Sequence, residues 1–425
     1  MKQYNKFYRF LYDLKSSREI IDLNKSQWWS YKKLVNFQND RLQKIVTYAC
    51  NNIPGYRKKF DQAGIKPENI KTIQDLIKLP ITTREELQNN KNFVNEKLIS
   101  ATLYTGGSTG TPLSYYESAD SGKIRWNSHL RGWSWNGYMP GKRLAVIAGA
   151  QGIIGQKNNL TLVGALTSIN LRKNVNKLLA FKPEYIRGYV GSLFILAKYC
   201  LDNGIQLEGI KAIDPVSENL YDYQRKIMEK AFNCDVFEEY CCNDGGACAW
   251  ECNAHEGLHY FMERSIIEEV DGEMIVTDLW NKAMPFIRYR NGDSIKFLNK
   301  KCPCGRKLPL IQARGRTNDT IITPKGPVGA TFLMMRAIRY DKQHRFGIRA
   351  VQYIQKSHYK LIVNIVKNKG CSDKEITEYQ KDLCKLVPKM KIRFNFVEDI
   401  PTTKKGKRQF VINEDKELLK KWNLN

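Results

Sequence analysis

Residues Tyr104 to Pro112 read YTGGSTGTP, with three glycines and four Ser/Thr hydroxyls. Glycine lets main-chain N–H groups approach an anion closely, and Ser and Thr add donors without bulk, so the loop suits the phosphate tail of a nucleotide. A flexible turn between two strands has the same composition. The loop gains meaning only if the chain also supplies a ribose acceptor, a carboxylate for a metal ion and a cation for the reacting phosphate.

Four further segments offer such groups. In YRNGD, Tyr289 to Asp293, the Asp293 carboxylate can accept two hydrogen bonds from a ribose diol, although NGD is also ordinary hairpin chemistry. In EEYCCNDGG, Glu238 to Gly246, Asp244 can hold magnesium directly or through water, and an acidic turn is the plainer alternative. GRTNDTIITPKG, Gly315 to Gly326, brings Arg316 for a ribose or phosphate and a polar run, Thr317 to Asp319, that can act as a hinge or be a plain linker. IPTTKKGKRQF, Ile400 to Phe410, places Lys407 after Gly406 in a polar loop able to swing over a site. A lysine there can stabilise charge on a transferring phosphoryl group; a solvated basic tail is the commoner fate of such a run.

A second constellation is of metal-binding type. Cys252 and His259 lie in ECNAHEGLHY, and Cys302 and Cys304 lie in KCPCGR. Three thiolates and an imidazole form a common closed tetrahedral set for structural zinc. Cys302 and Cys304 are closer than the usual two intervening residues, and His255 is an alternative fourth ligand. Packed free cysteines beside a surface histidine are the alternative reading.

These residues need elements to hold them. Leu42, Ile45, Val46 and Ala49 recur at helical spacing before a break at IPGY, Ile53 to Tyr56, and another break follows at LPIT, so the first hundred residues read as largely helical. From Leu103 to about Leu279, short apolar segments such as LAVIAGA, Leu144 to Ala150, alternate with helical patterns such as SLFILAKYCL, Ser192 to Leu201. That alternation predicts an α/β layout with the glycine loop on one of its turns. The last hundred residues carry strand candidates YKLIVNIV and KIRFNFV and read as a small α+β domain. The expected units are a helical part at 1–100, an α/β nucleotide- and substrate-binding core with the metal cluster at 101–317, and a mobile α+β lid at 318–425.

Composition narrows the class. The chain has 425 residues, 42% of them hydrophobic, enough for a large core. No apolar run approaches the roughly 20 residues that span a bilayer, and MKQYNKFYRFLYDLK lacks the apolar segment of a signal peptide, so the expected location is the cytoplasm. Eleven cysteines without an export signal argue for reduced thiols or metal ligands. The net charge of +26 is spread over scattered lysines and arginines with no nucleic-acid-binding motif, so no nucleic-acid partner is expected. Peripheral contact with the inner face of a membrane through Tyr4, Phe7, Phe10 and Leu11 stays open.

In their order, YTGGSTGTP, EEYCCNDGG, YRNGD, GRTND and PTTKKGK resemble the adenylate-forming ligase superfamily. More narrowly, they resemble the phenylacetate-CoA ligase family and its CapK-like branch, associated with capsular polysaccharide loci. The resemblance extends over RLQKIVTYACNNIPGYRKKFDQAGI, KPEYIRGYVGSL, AIDPVSENL and AMPFIRYRNGD with CPCGR after it. It implies a large multi-layer adenylate-forming N-terminal region with a small mobile C-terminal domain, and ATP-dependent carboxylate activation to an acyl-adenylate and pyrophosphate. Transfer to CoA, an amine or another nucleophile would follow, with a small or glycan-linked acid as substrate and a role in capsular or exopolysaccharide synthesis as one setting.

By the same resemblance, Ser108, Thr109 and Gly110 would hold the β- and γ-phosphates, and Thr105, Gly106 and Gly107 would complete the cradle. Tyr240 would flank the adenine, Asp244 would organise Mg²⁺, Asp293 would bind the ribose and Arg316 would support ribose or phosphate. Lys407 would bridge the α-phosphate and the substrate carboxylate, offsetting their repulsion most in the transition state. Relatives with a similar Cys/His pattern carry a structural metal. The chain departs from the pattern at Asp244, where glutamate is usual, and at Thr111, where many relatives have lysine. A catalytically degenerate nucleotide-binding scaffold is the alternative these departures leave.

Overall fold

In a computed structural model of the protein, the residues described are 20–88, 90–104, 113–148, 158–163, 171–217, 219–314, 320–324, 326–329, 333, 348–357, 359–367, 372–400, 411–415 and 417–418. The candidate residues Thr105 to Gly110, Thr111, Arg316 and Lys407 and the hinge Thr317 to Asp319 lie outside them, as do Tyr4, Phe7, Phe10 and Leu11.

The N-terminal part is helical. Helix α1, Tyr31–Asn52, starts where the Ser30 hydroxyl accepts from the Lys33 N–H, and it buries Leu34, Gln38, Leu42, Ile45, Val46 and Ala49 along one face. It stops at Ile53 because the residue before a proline is driven out of the helical region; Pro54 then opens α2, Pro54–Gln62.

The expected α/β texture is present. Strands β3, Leu144–Ala148, β4, Asn159–Val163, β5, Tyr185–Tyr189, β6, Ala212–Val216, and β7, Asp235–Val236, form a parallel sheet in the order β4-β3-β5-β6-β7. A parallel sheet requires crossovers; α4, Leu171–Phe181, α5, Val190–Asp202, and α6, Asp222–Phe232, lie between its strands in sequence. They share with it a core of Ile147, Leu178, Ile186, Leu193, Ile213 and Met228.

Three antiparallel groups complete the larger region. Strands β1, Ala101–Tyr104, and β2, Ser114–Glu117, pair on either side of the glycine loop. Next come β8, Glu239–Cys241, β9, Cys248–Glu251, β10, Leu258–Tyr260, β14, Ser294–Leu298, and β15, Leu310–Arg314, in the order β14-β15-β10-β9-β8. A third sheet joins β11, Ser265–Val270, β12, Glu273–Asp278, and β13, Tyr289–Arg290. Helix α3, Ala119–Ser134, packs on β9 so closely that a Cβ at Gly132 would stand 2.3 Å from the Trp250 ring. Its Arg131 is fully buried, with Nη1 and Nη2 at 2.7 and 3.1 Å from the two carboxylate oxygens of Glu263, while the Ser26 hydroxyl donates to the same carboxylate at 2.6 Å. Removing one partner of such a pair costs about 3–5 kcal/mol because it strands a buried charge.

Beyond a short pair, β16, Thr320–Thr323, with β17, Gly326–Gly329, the C-terminal strands β18, Ile348–Ser357, β19, Lys360–Lys367, β20, Lys391–Phe396, and β21, Val411–Asn413, form a mixed sheet in the order β20-β19-β18-β21. Helix α7, Asp373–Leu386, opens with a Ser372/Glu375 capping box and contributes Ile376, Tyr379 and Leu383 to a separate core. The architecture is mixed α/β with a C-terminal domain.

Candidate active site

Tyr240 lies in β8, whose hairpin with β9 turns through Asn243 to Gly246. The Cys242 N–H donates to Ala247 O at 2.8 Å and the Glu251 N–H to Glu238 O at 3.0 Å, which fixes the register. Gly245 and Gly246 have φ of +101° and +78°. A Cβ would stand 2.3 Å from Val276 Cγ1 at the first and 2.6 Å from Asp278 Oδ2 at the second, so the turn is pressed onto β12 and only glycine fits.

Asp293 comes from a different sheet junction. The strands flanking Asn291 to Asp293 do not pair with each other: β13 pairs with β12 and β14 with β15. The hairpin reading of NGD is therefore corrected. Gly292, at φ +85°, redirects the chain, and Asn291 Oδ1 accepts the Asp293 N–H at 3.0 Å, so the turn carries the chain between sheets. Asp293 O in turn accepts the Met274 N–H at 2.7 Å.

The two turns meet. The Tyr240 hydroxyl donates to Asp293 Oδ2 at 2.8 Å. Asn291 Nδ2 stands 3.3 Å from the Tyr240 oxygen, from Cys242 Sγ and from Asp293 Oδ2. The Tyr289 hydroxyl donates to Asp244 Oδ2 at 3.2 Å, and the Cys242 thiol to Asp244 Oδ1 at 3.2 Å. Tyr240, Asp244 and Asp293, named separately from sequence, thus share one network with Cys242, Tyr289 and Asn291. The last two stood in the YRNGD segment, but nothing in the sequence tied them to the turn before β9.

Burial and the facing Asp293 carboxylate push the Tyr240 hydroxyl well above its usual range, so it stays protonated and donating. Burial also raises the Asp244 carboxyl, with the Cys242 and Tyr289 bonds acting in the opposite direction.

Behind β8 is a polar layer the sequence did not disclose. The His129 ring on α3 lies against Trp133 and Trp250, with centroids 5.2 and 5.3 Å away, and its Nε2 is 3.9 Å from Cys241 Sγ. Burial, aided by Arg187, holds this imidazole well below its usual range and so neutral. Arg187 on β5 pairs with Glu239, whose Oε2 accepts from the indoles of Trp133 at 3.2 Å and Trp250 at 3.0 Å. Asp214, register partner of Arg187 on β6, is pushed up to about 7 by burial, with Arg187 opposing.

The four metal-type residues also converge. Cys252 follows β9, His259 lies on β10, and Cys302 and Cys304 sit between β14 and β15; their ligand atoms all fall within 4.8 Å of one another. Cys252 Sγ is 3.6 Å from Cys302 Sγ, and Cys304 Sγ is 3.3 Å from His259 Nε2. A tetrahedral zinc with sulfur at about 2.3 Å needs S···S near 3.8 Å, so the donor set fits such an ion. His259 Nδ1 faces Leu308 O at 3.2 Å, leaving Nε2 toward the cluster. The N–H groups of Ala254, Cys304 and Arg306 donate to the sulfur two residues earlier in each case, a pattern that favours thiolate. His255 instead faces Glu251 Oε1 at 3.2 Å.

Residues 330–414 match the CapK C-terminal domain. The chain is 27% identical over 419 residues to Protein CapK of Staphylococcus aureus, covering 90% of each chain. It is 24% identical over 324 residues to phenylacetate-coenzyme A ligase of Thermus thermophilus, covering 68% of this chain and 72% of the relative. In fold it is similar to a 2-hydroxyisobutyryl-CoA ligase crystallised with 2-HIB-AMP and CoA, at a TM-score of 0.66 and 17% identity, over 96% of this chain and 97% of that one. By sequence the chain is similar to CapK and to the phenylacetate-CoA ligases, and in fold it is similar to a CoA ligase that forms an acyl-adenylate.

Proposed function

We propose that the protein activates a carboxylic acid with ATP. A carboxylate oxygen attacks the α-phosphorus, the bond to the bridging oxygen of the β-phosphate breaks, and acyl-adenylate and pyrophosphate result. The observation that carries this reading is the network of Tyr240, Asp244, Asn291 and Asp293 between two sheets, in a chain related to phenylacetate-CoA ligases.

Asp293 takes the ribose hydroxyls, and Tyr240, oriented by its bond to Asp293, flanks the adenine. Thr105, Gly106, Gly107, Ser108, Thr109 and Gly110 grip the β- and γ-phosphates, Arg316 supports the ribose or phosphate, and Lys407 spans the two reacting anions. Asp244 would hold Mg²⁺ through water, because each of its carboxylate oxygens already accepts a bond from Cys242 or Tyr289; bound magnesium screens phosphate charge. Cys252, His259, Cys302 and Cys304 would hold a zinc ion, whose role is to cross-link loops.

The unit at 318–425 serves as the lid that brings Lys407 to the core at 101–317 and withdraws it, turning about Thr317 to Asp319. CoA is the acceptor favoured by the named activities of the ligase relatives, with an amine or glycan as competitors. The acid is small or glycan-linked and the setting is polysaccharide assembly, as the resemblance of the motifs to the CapK-like branch implies.

The test is pyrophosphate release over a panel of aromatic, amino and uronic acids, with CoA and amines as separate acceptors. Acid-dependent release supports the reading. ATP binding with no release from any acid instead establishes a nucleotide-binding scaffold, the second reading, which the departures at Asp244 and Thr111 favour.

A further inference from the structure

We propose that the face built around Trp28 and Tyr31 docks the protein on an anionic lipid bilayer. Most large apolar side chains among the described residues are buried, yet Trp28, in the turn before α1, is 54% exposed and Tyr31, the first residue of α1, 55% exposed. An indole and a phenol have the amphipathic shape that settles at the headgroup level of a membrane.

Cations surround the pair. Lys25, Lys32, Lys33 and Lys307 are exposed, and the Arg306 guanidinium stacks on Trp28 at 4.8 Å from its centroid. Gly305 closes against the same indole, where a Cβ would lie 3.9 Å from its ring. The aromatic tip and the loop carrying Cys302 and Cys304 therefore form one continuous surface. Asp22 is the acidic side chain at this turn, where it accepts the Asn24 N–H at 3.0 Å. The positive end of α1 adds to the local potential.

The residues that precede this face in the sequence have the same character. Residues 1–19 contain Lys2, Lys6, Arg9, Lys15 and Arg18 against Asp13 and Glu19, together with Tyr4, Phe7, Tyr8, Phe10 and Tyr12. Cations interleaved with aromatics suit a surface presenting negative headgroups above an apolar boundary. No helix among the described residues is long and apolar enough to cross a membrane, so the contact is peripheral.

The experiment is co-sedimentation of the full chain with vesicles of phosphatidylcholine alone or with about one-third phosphatidylglycerol, and titration with duplex DNA as a competitor polyanion. Binding to the anionic vesicles, little binding to the neutral ones, and loss in high salt are expected. Lys25→Glu with Lys32→Glu should weaken partition roughly fivefold or more per cation removed. Trp28→Ser with Tyr31→Ser should weaken it comparably and leave helical content, thermal midpoint and pyrophosphate release unchanged. Equal partition of wild type and both double variants overturns the proposal. So does failure to bind anionic vesicles, or displacement by DNA together with equal retention of the variants on DNA. This test does not depend on the adenylation reading, since it needs no nucleotide.

Discussion

The hydroxyl of Tyr240 donates to Oδ2 of Asp293 at 2.8 Å, joining residues 53 positions apart. The residue proposed for adenine and the residue proposed for ribose are therefore mutually positioned before any nucleotide arrives. Asp293→Ala should weaken ATP binding by about 1.5–3 kcal/mol, the scale of a hydrogen bond to a charged group. Tyr240→Phe keeps the ring and loses the donor, so a smaller loss is expected. Calorimetric titration with ATP measures both, and an unchanged affinity for Asp293→Ala rejects the ribose assignment.

Lys407 is assigned to the chemical step rather than to ground-state binding. Lys407→Ala should lower the rate of pyrophosphate release by about a hundredfold or more while ATP affinity stays near the wild-type value. A wild-type rate in the variant would remove this residue from the mechanism.

The cluster of Cys252, His259, Cys302 and Cys304 should bring about one equivalent of zinc through purification, readable by elemental analysis. Burial holds the Cys302 thiol up to about 12 without a cation, so metal uptake must release protons and weaken in acid. Cys252→Ser should lower both zinc content and thermal midpoint. Metal-free protein of undiminished stability contradicts the assignment.

Gly246 offers a test of the turn beside Asp244. Gly246→Ala puts a Cβ 2.6 Å from Asp278 Oδ2 at a φ of +78° and should cost about 1–3 kcal/mol or more. Gly272→Ala, at φ +75° but with open space around it, is the control that carries backbone strain alone. Thermal denaturation of both variants separates the two costs; equal losses would mean the packing against Asp278 contributes nothing.

Asp214 makes stability depend on pH. Its folded carboxyl titrates at about 7, against about 4 unfolded, so the folded state holds a proton that the unfolded state gives up between those values. The stability from that proton is complete below about pH 4 and is lost as pH rises through 7. Asp214→Asn mimics the protonated form and should stabilise the protein by about 1–3 kcal/mol at pH 8, with little effect at pH 4. Denaturant unfolding at the two values checks the sign, and a larger gain at the lower pH refutes it.

What was legible in the sequence was mostly local. The helical spacing of Leu42, Ile45, Val46 and Ala49, the break at Pro54 and the apolar run after Leu144 each rest on interactions within one element, and each element forms as expected. The Cys/His set was legible because two short spacings already restrict its donors. The hairpin alternative for NGD was wrong because strand pairing is non-local: the turn looks the same whether its flanking strands meet each other or different partners. The layer of His129, Arg187, Asp214 and Glu239 was invisible for the same reason, each side chain coming from a different element. Arg131 and Glu263, 132 positions apart, gave no signal of pairing.

The side-chain amide of Asn291 is oriented by its own turn, since only Oδ1 can accept the Asp293 N–H. That leaves Nδ2 with two hydrogens facing three acceptors: Tyr240, Cys242 and Asp293. Asp293 Oδ2 is the acceptor shared by the Asn291 amide and the Tyr240 hydroxyl. A diol reaching Asp293 would bring donors of its own to that carboxylate, and Asn291 would then serve Tyr240 and Cys242. Recognition of the ligand would be an exchange of donors at one carboxylate, with little rearrangement of the strands that carry it.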